Sequence, residues 1–178
     1  CSEIAKDVTR KYAAHYAFER VRVEYVEEVF RLFIGEKRAP LTFRVDLVIR
    51  DTGGQVWFVD HKSTGKILSS HPKSYSMSGQ FMSYTTAGRL IYGDQFGGCL
   101  LNMIEAGRGA PRFERPNLLG APGLLAGFPA SVERVWGEIQ KLSDTPAGYW
   151  PIAPTEHTCW TRYGACNHYD NCRLGLKR

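Results

Sequence analysis

Two apolar, β-rich runs, residues 43–49 (FRVDLVI) and 55–62 (QVWFVDHK), flank the turn sequence Asp51-Thr52-Gly53-Gly54. Branched and aromatic residues on either side of an Asp/Gly turn read as an antiparallel hairpin. That hairpin constrains the chain more than any other stretch. It brings Asp46, in the first run, close to Asp60 and Lys62 at the end of the second. Successive side chains alternate across a strand, so Asp60 and Lys62, two apart, project to one face. Acids and an ammonium in runs otherwise built from Val45, Leu47, Ile49, Val56, Phe58 and Val59 stand out.

The rest of the chain supplies partners for the hairpin. Residues 2–18 read as a helix, with Ile4, Val8, Tyr12 and His15 near helical spacing. Residues 21–34 read as a long strand, 35–40 as a turn, and 41–49 with 56–60 as the hairpin itself. The polar stretch 63–78 reads as a mobile loop, 79–92 as a helix, and 98–104 (GCLLNMI) as a short buried strand. Residues 107–115 can continue a hairpin, and the Gly/Pro/Leu-rich stretch 116–129 reads as a loop. Ser131 caps a helix to about residue 142, with Glu133 and Arg134 in its first turn. Residues 145–178 are Pro-, aromatic- and Cys-rich. A helix, three strands, a helix, a strand and a helix predict an α/β fold, a mixed sheet flanked by helices. With 178 residues and 43% hydrophobic content, one domain with a substantial core is expected, spanning 1–178. No apolar run approaches the ~20 residues of a membrane span. The chain begins at Cys1 without a charged-then-apolar leader, so a cytoplasmic protein is expected. The net charge of +5 is a modest bias toward polyanions.

Paired carboxylates beside an ammonium suit phosphodiester hydrolysis. Mg²⁺ or Mn²⁺ held by one or two carboxylates can activate water and neutralise a phosphate. Asp46 and Asp60 are the candidate ligands, and the backbone carbonyl of His61 offers a third oxygen. Lys62 can orient the water or stabilise developing charge. Downstream, Gln80 and Tyr84 form Q-x-x-x-Y; positions i and i+4 share a helix face. That pair can contact DNA or steady Lys62.

In this order, FRVDLVI, VWFVDHKSTGKI and GQFMSYTTAGRLIYG resemble the PD-(D/E)XK nuclease superfamily, and within it the RecB-like branch that includes the CRISPR-associated RecB-like exonucleases. Asp46, Asp60, Lys62, Gln80 and Tyr84 match the family pattern. Phe43 stands where the family usually has glycine. The resemblance implies a restriction-endonuclease-like core over 21–104. Many members carry an upstream His or Glu as a further metal ligand. His15, Glu27 and Glu28 are the candidates, and the residues leave the choice open.

Cys1, Cys99, Cys159, Cys166 and Cys172 make an odd count, which argues against a disulfide scaffold. Cys99 lies in an apolar strand and is expected in the core. The late cysteines resemble the cluster-binding tail of RecB-like nucleases. That likeness implies a [4Fe–4S] cluster on Cys1, Cys159, Cys166 and Cys172, stapling the tail to the N-terminus. The C-x6-C gap between Cys159 and Cys166 departs from the usual C-x2-C, so His157 or His168 can substitute. Structural Zn²⁺ is the rival.

These features lead to a Mg²⁺- or Mn²⁺-dependent deoxyribonuclease, an exonuclease on single-stranded or frayed DNA ends. Lys66, Lys73 and Tyr75 are candidate DNA contacts, Tyr75 by stacking on bases. Phage recombination, DNA repair or CRISPR adaptation is the expected setting, with proteins of those pathways as partners. The alternative is a non-catalytic DNA-end-binding subunit of a larger recombination complex.

Overall fold

The computed structural model of the chain describes residues 3–107, 109–118, 120 and 122–143, and the backbone of 160–161 and 164–165. In chain order these form α1 (Glu3–His15), β1 (Val21–Ile34), β2 (Ala39–Asp51), β3 (Val56–Thr64), α2 (His71–Ser76) and α3 (Gly79–Tyr92). A 3-10 turn (Gly93–Gln95) leads into β4 (Phe96–Glu105), β5 (Arg112–Glu114), β6 (Asn117–Leu118) and α4 (Pro122–Ser143). Then come β7 (Trp160–Thr161) and β8 (Gly164–Ala165). The chain divides into two compact units, Cys1–Glu133 and Arg134–Arg178. In the second, β7 and β8 pair antiparallel. Cys1, Cys159, Cys166 and Cys172, the expected cluster ligands, lie outside the described residues, as do His157 and His168.

The first unit is an α/β fold around a mixed sheet of order β1-β2-β3-β4-β5, with β6 also on β4. β1, β2 and β3 form an antiparallel meander. β3 and β4 run parallel, Val59 beside Leu100 and His61 beside Asn102. Parallel neighbours need a crossover, which α2 and α3 supply. α3 follows Ser78, whose hydroxyl accepts the Phe81 N–H at 3.3 Å, and buries Phe81, Tyr84, Ala87 and Gly88. Gly88 permits the close approach: a Cβ there would stand 2.2 Å from the Phe96 ring.

Phe58 is fully buried at the core's centre. Its ring meets those of Phe30, Tyr84, Tyr92 and Phe96 at centroid distances of 5.3, 6.1, 6.0 and 5.2 Å. Val45, Val48, Phe81, Cys99, Leu101 and Met103 complete the same cluster, so Cys99 is the core residue expected.

Three expectations for connecting segments need correction. The stretch 63–78 is not a continuous loop. β3 runs on to Thr64, and α2 opens with Pro72 in its first turn, where a missing N–H costs a helix nothing. The stretch 116–129 is not a loop either: β6 pairs with β4, and α4 begins at Pro122 with Pro129 inside it. Ser131 therefore caps nothing; it lies mid-helix with its hydroxyl on the Gly127 carbonyl at 3.1 Å. Apolar residues at helical spacing outweigh the Gly/Pro content there.

Candidate active site

The ladder between β2 and β3 runs from Arg50 opposite Val56 to Leu47 opposite Val59, and stops. One step further the register would set Asp46 against Asp60. Instead Asp46 turns its own carboxylate onto the next strand, and Oδ2 accepts the His61 N–H at 2.8 Å. The N–H and C=O of one extended residue point the same way, so the His61 carbonyl also faces this opening. β1 is disturbed at the same level. Val26 pairs with Leu47 and Glu28 with Val45, so Glu27 stands opposite Asp46. Its φ of 53° lies in the left-handed region that a glutamate rarely adopts. Val45 and Val48, three apart, join one core cluster, so the alternation of β2 slips between them.

Asp60 is 1% exposed. Oδ1 accepts from Gln80 Nε2 at 2.8 Å. Tyr84 gives its single proton to the Arg44 carbonyl at 2.6 Å and accepts from Gln80 at 2.9 Å. Its oxygen therefore lies 3.4 Å from Asp60 Oδ1 without a proton to offer it. The Lys62 ammonium stands 2.7 Å from Asp60 Oδ2. It forms a close, charge-assisted ion pair with that oxygen, which has no other hydrogen-bond partner among the described residues. Burial pushes the Asp60 carboxyl above its ordinary range; Lys62 pulls it back and Asp46 adds to the rise. Burial likewise raises the Tyr84 phenol far above its usual value. The His61 imidazole lies on the other face of β3, Nδ1 3.8 Å from Asp46 Oδ2. Burial lowers its pKa, against the pull of Asp46.

Asp46, Asp60, Lys62, Gln80, Tyr84 and the His61 backbone thus come together where the β2–β3 ladder ends. Gln80 and Tyr84 hold Asp60 and the β2 backbone rather than Lys62. The upstream candidates divide. His15 is exposed at the end of α1, its ring on Tyr16 and Phe113. Glu28 faces the core side of β1, where its charge reaches Tyr92. Glu27 sits beside Asp46, but its carboxylate pairs with Arg44 at 3.0 Å. Among the described residues no three His, Cys, Asp or Glu side chains gather as a metal-ligand set. Lys66 and Lys73 are exposed, whereas Tyr75 is half-buried against Phe81 at 6.0 Å, a packing position.

A buried carboxylate oxygen partnered only by a partly exposed ammonium is one that a hard cation could take over. Asp60 Oδ2, the Asp46 carboxylate and the His61 carbonyl are the oxygens that can hold one. Arg44, through its carbonyl, was not foreseen from sequence; nothing in a side-chain pattern marks a backbone acceptor. Asn102 was also missed, though a lone amide in the apolar run LLNMI, wholly buried here, was a legible signal.

No family model matches the chain, and no curated protein matches it. A match among solved structures is the crystal structure of SSO0001, 15% identical, with a TM-score of 0.42 over 78% of this chain. The match takes in 59% of that protein's chain. A likeness of that size carries neither a family nor an activity.

Proposed function

We propose that this chain is a metal-dependent deoxyribonuclease of the PD-(D/E)XK type, acting on single-stranded or frayed DNA ends. The observation that carries the reading is the state of Asp60. Its carboxylate is buried, oriented through Oδ1 by Gln80, and paired through Oδ2 with the partly exposed Lys62 ammonium alone. A buried acid paired with a lysine at the end of an apolar strand carries a desolvation cost that packing alone does not require.

The residues suit Mg²⁺ or Mn²⁺, held by Asp46, Asp60 and the His61 carbonyl, with Glu27 adjacent as a further carboxylate. When bound, such an ion polarises the scissile phosphate and lowers the pKa of a water. Gln80 keeps Asp60 in one rotamer, so Oδ2 needs only the departure of Lys62 to meet a cation. Tyr84 ties that arrangement to β2 through the Arg44 carbonyl. Lys62, released from Asp60 Oδ2, has an ammonium free to orient the attacking water or to meet charge on the phosphate. Lys66 and Lys73 offer backbone contacts along an approaching strand. The late cysteines, with Cys1, are proposed to hold a [4Fe–4S] cluster.

End-labelled single-stranded DNA incubated with protein and Mn²⁺ or Mg²⁺ tests the reading. Wild type should degrade the label, and Lys62→Ala should slow this by about 10²–10³-fold while remaining folded. Binding without cleavage under either metal would replace the enzyme with a DNA-end-binding scaffold.

A further inference from the structure

Behind the carboxylates, a polar network joins α1 to β3 and β4. His61 and Asn102 are neighbours in the parallel ladder, and Tyr12 reaches both from α1. Arg115, just past β5, ties the group together. Its Nε donates to Asn102 Oδ1 at 3.1 Å, Nη2 to the Tyr12 hydroxyl at 2.9 Å, and Nη1 to Glu19 at 2.5 Å. Its guanidinium also lies 3.8 Å from the Tyr16 ring centre.

The donors and acceptors can be assigned in order. Arginine only donates, so the Asn102 oxygen must face Nε. The Asn102 amide nitrogen then faces Tyr12 and donates at 2.6 Å. The Tyr12 oxygen accepts from both Asn102 and Arg115, which fills its two lone pairs. Its own proton points to the remaining neighbour, His61 Nε2, 3.5 Å away. An accepting Nε2 leaves the imidazole proton on Nδ1, toward Asp46 Oδ2. The opposite tautomer would aim a ring proton at a filled oxygen and a bare lone pair at a carboxylate.

We propose that Arg115, Asn102 and Tyr12 form a directional relay that fixes His61 as its Nδ1–H tautomer and so steadies Asp46. Tyr12 and His61 are then positioning residues, acting on the metal site through Asp46. The consequence for metal binding rests on the nuclease reading; the tautomer does not.

Protein labelled with ¹⁵N-histidine, examined by two-bond ¹⁵N–¹H correlation at neutral pH, reads the tautomer directly. Mn²⁺ titration of the same samples reads the consequence. Wild-type His61 should show a protonated Nδ1 and a bare Nε2. Tyr12→Phe keeps the ring contacts with Tyr16 and Phe113, 4.9 and 5.5 Å, but removes the hydroxyl. It should lose the Nδ1–H excess and weaken Mn²⁺ binding by about tenfold, the scale of a lost partner behind a ligand. Arg115→Lys should move both readouts the same way, guarding against misfolding of one variant. His61→Ala should weaken Mn²⁺ binding on the same scale. An Nε2–H tautomer in wild type overturns the relay. So does a Tyr12→Phe protein with wild-type tautomer and Mn²⁺ affinity. An Nδ1–H wild type that binds no Mn²⁺ and cuts no DNA overturns the nuclease reading, and with it the positioning role, but leaves the tautomer assignment standing.

Discussion

Asp60 is held in a state that works against folding. Its carboxyl is raised above the ordinary value of 3.8 because burial disfavours the anion. A raised pKa means that the folded chain binds this proton more tightly than the unfolded chain. The resulting stabilisation is full below the unfolded pKa and is lost as pH rises through the folded one. Asp60→Asn removes the buried charge and keeps one acceptor oxygen for Gln80, while its amide NH2 turns the partly exposed Lys62 ammonium out into solvent. Its Tm should exceed that of wild type at pH 7, and the gap should close as the pH is lowered toward 4. The same variant should lose at least about 10²-fold of any metal-dependent cleavage, since the carboxylate is a proposed ligand. A gain in stability with a loss of activity marks a residue kept for chemistry. Asp46, Asp60 and Lys62 were legible in the sequence because charge in an apolar strand is conspicuous. Tyr12, Asn102 and Arg115 were not read as a group, because they meet only after β3, β4, β5 and α1 assemble.

Elements place these residues through small departures from regularity. The β2–β3 ladder ends one step short of Asp46 and Asp60, and β1 carries Glu27 at positive φ at the same level. Strand periodicity foretells none of this, since it assumes an unbroken alternation. The bounds of β1 and α3, by contrast, were legible. A β-branched run between Arg20 and Gly35 has one reading, and α3 lies between Ser78 and Gly93, a capping residue and a positive-φ glycine. The segments 63–78 and 116–129 depart from expectation because Pro and Gly signal a break locally, whereas packing decides whether the helix continues. α3 packs on Phe58 of β3, on which Tyr84 and Tyr92 rest edge-on. Phe58→Ala should cost about 3–5 kcal/mol in denaturant unfolding. It should impair the site as well, because Tyr84 and Gln80 share the helix that the void would loosen. A loss under about 1 kcal/mol would mean that the core closes without this ring.

At the scale of the molecule, an α/β unit with a mixed sheet carries the carboxylates, and no helix among the described residues is long and apolar enough to cross a membrane. The proposed cluster makes a separate prediction. Protein purified without oxygen should be brown, with about four irons per chain, and replacing Cys166 and Cys172 with Ser should bleach it. A colourless protein with stoichiometric zinc would assign those thiolates to a tetrahedral site instead. Cleavage at the carboxylates is independent of that outcome. It requires Asp60, and one time course tests this: Mn²⁺-dependent degradation of end-labelled single-stranded DNA by wild type and by folded Asp60→Asn at pH 7.5. Progressive loss of label with wild type and none with Asp60→Asn is the predicted result. Equal degradation by both, or none by wild type with either Mn²⁺ or Mg²⁺, would contradict it.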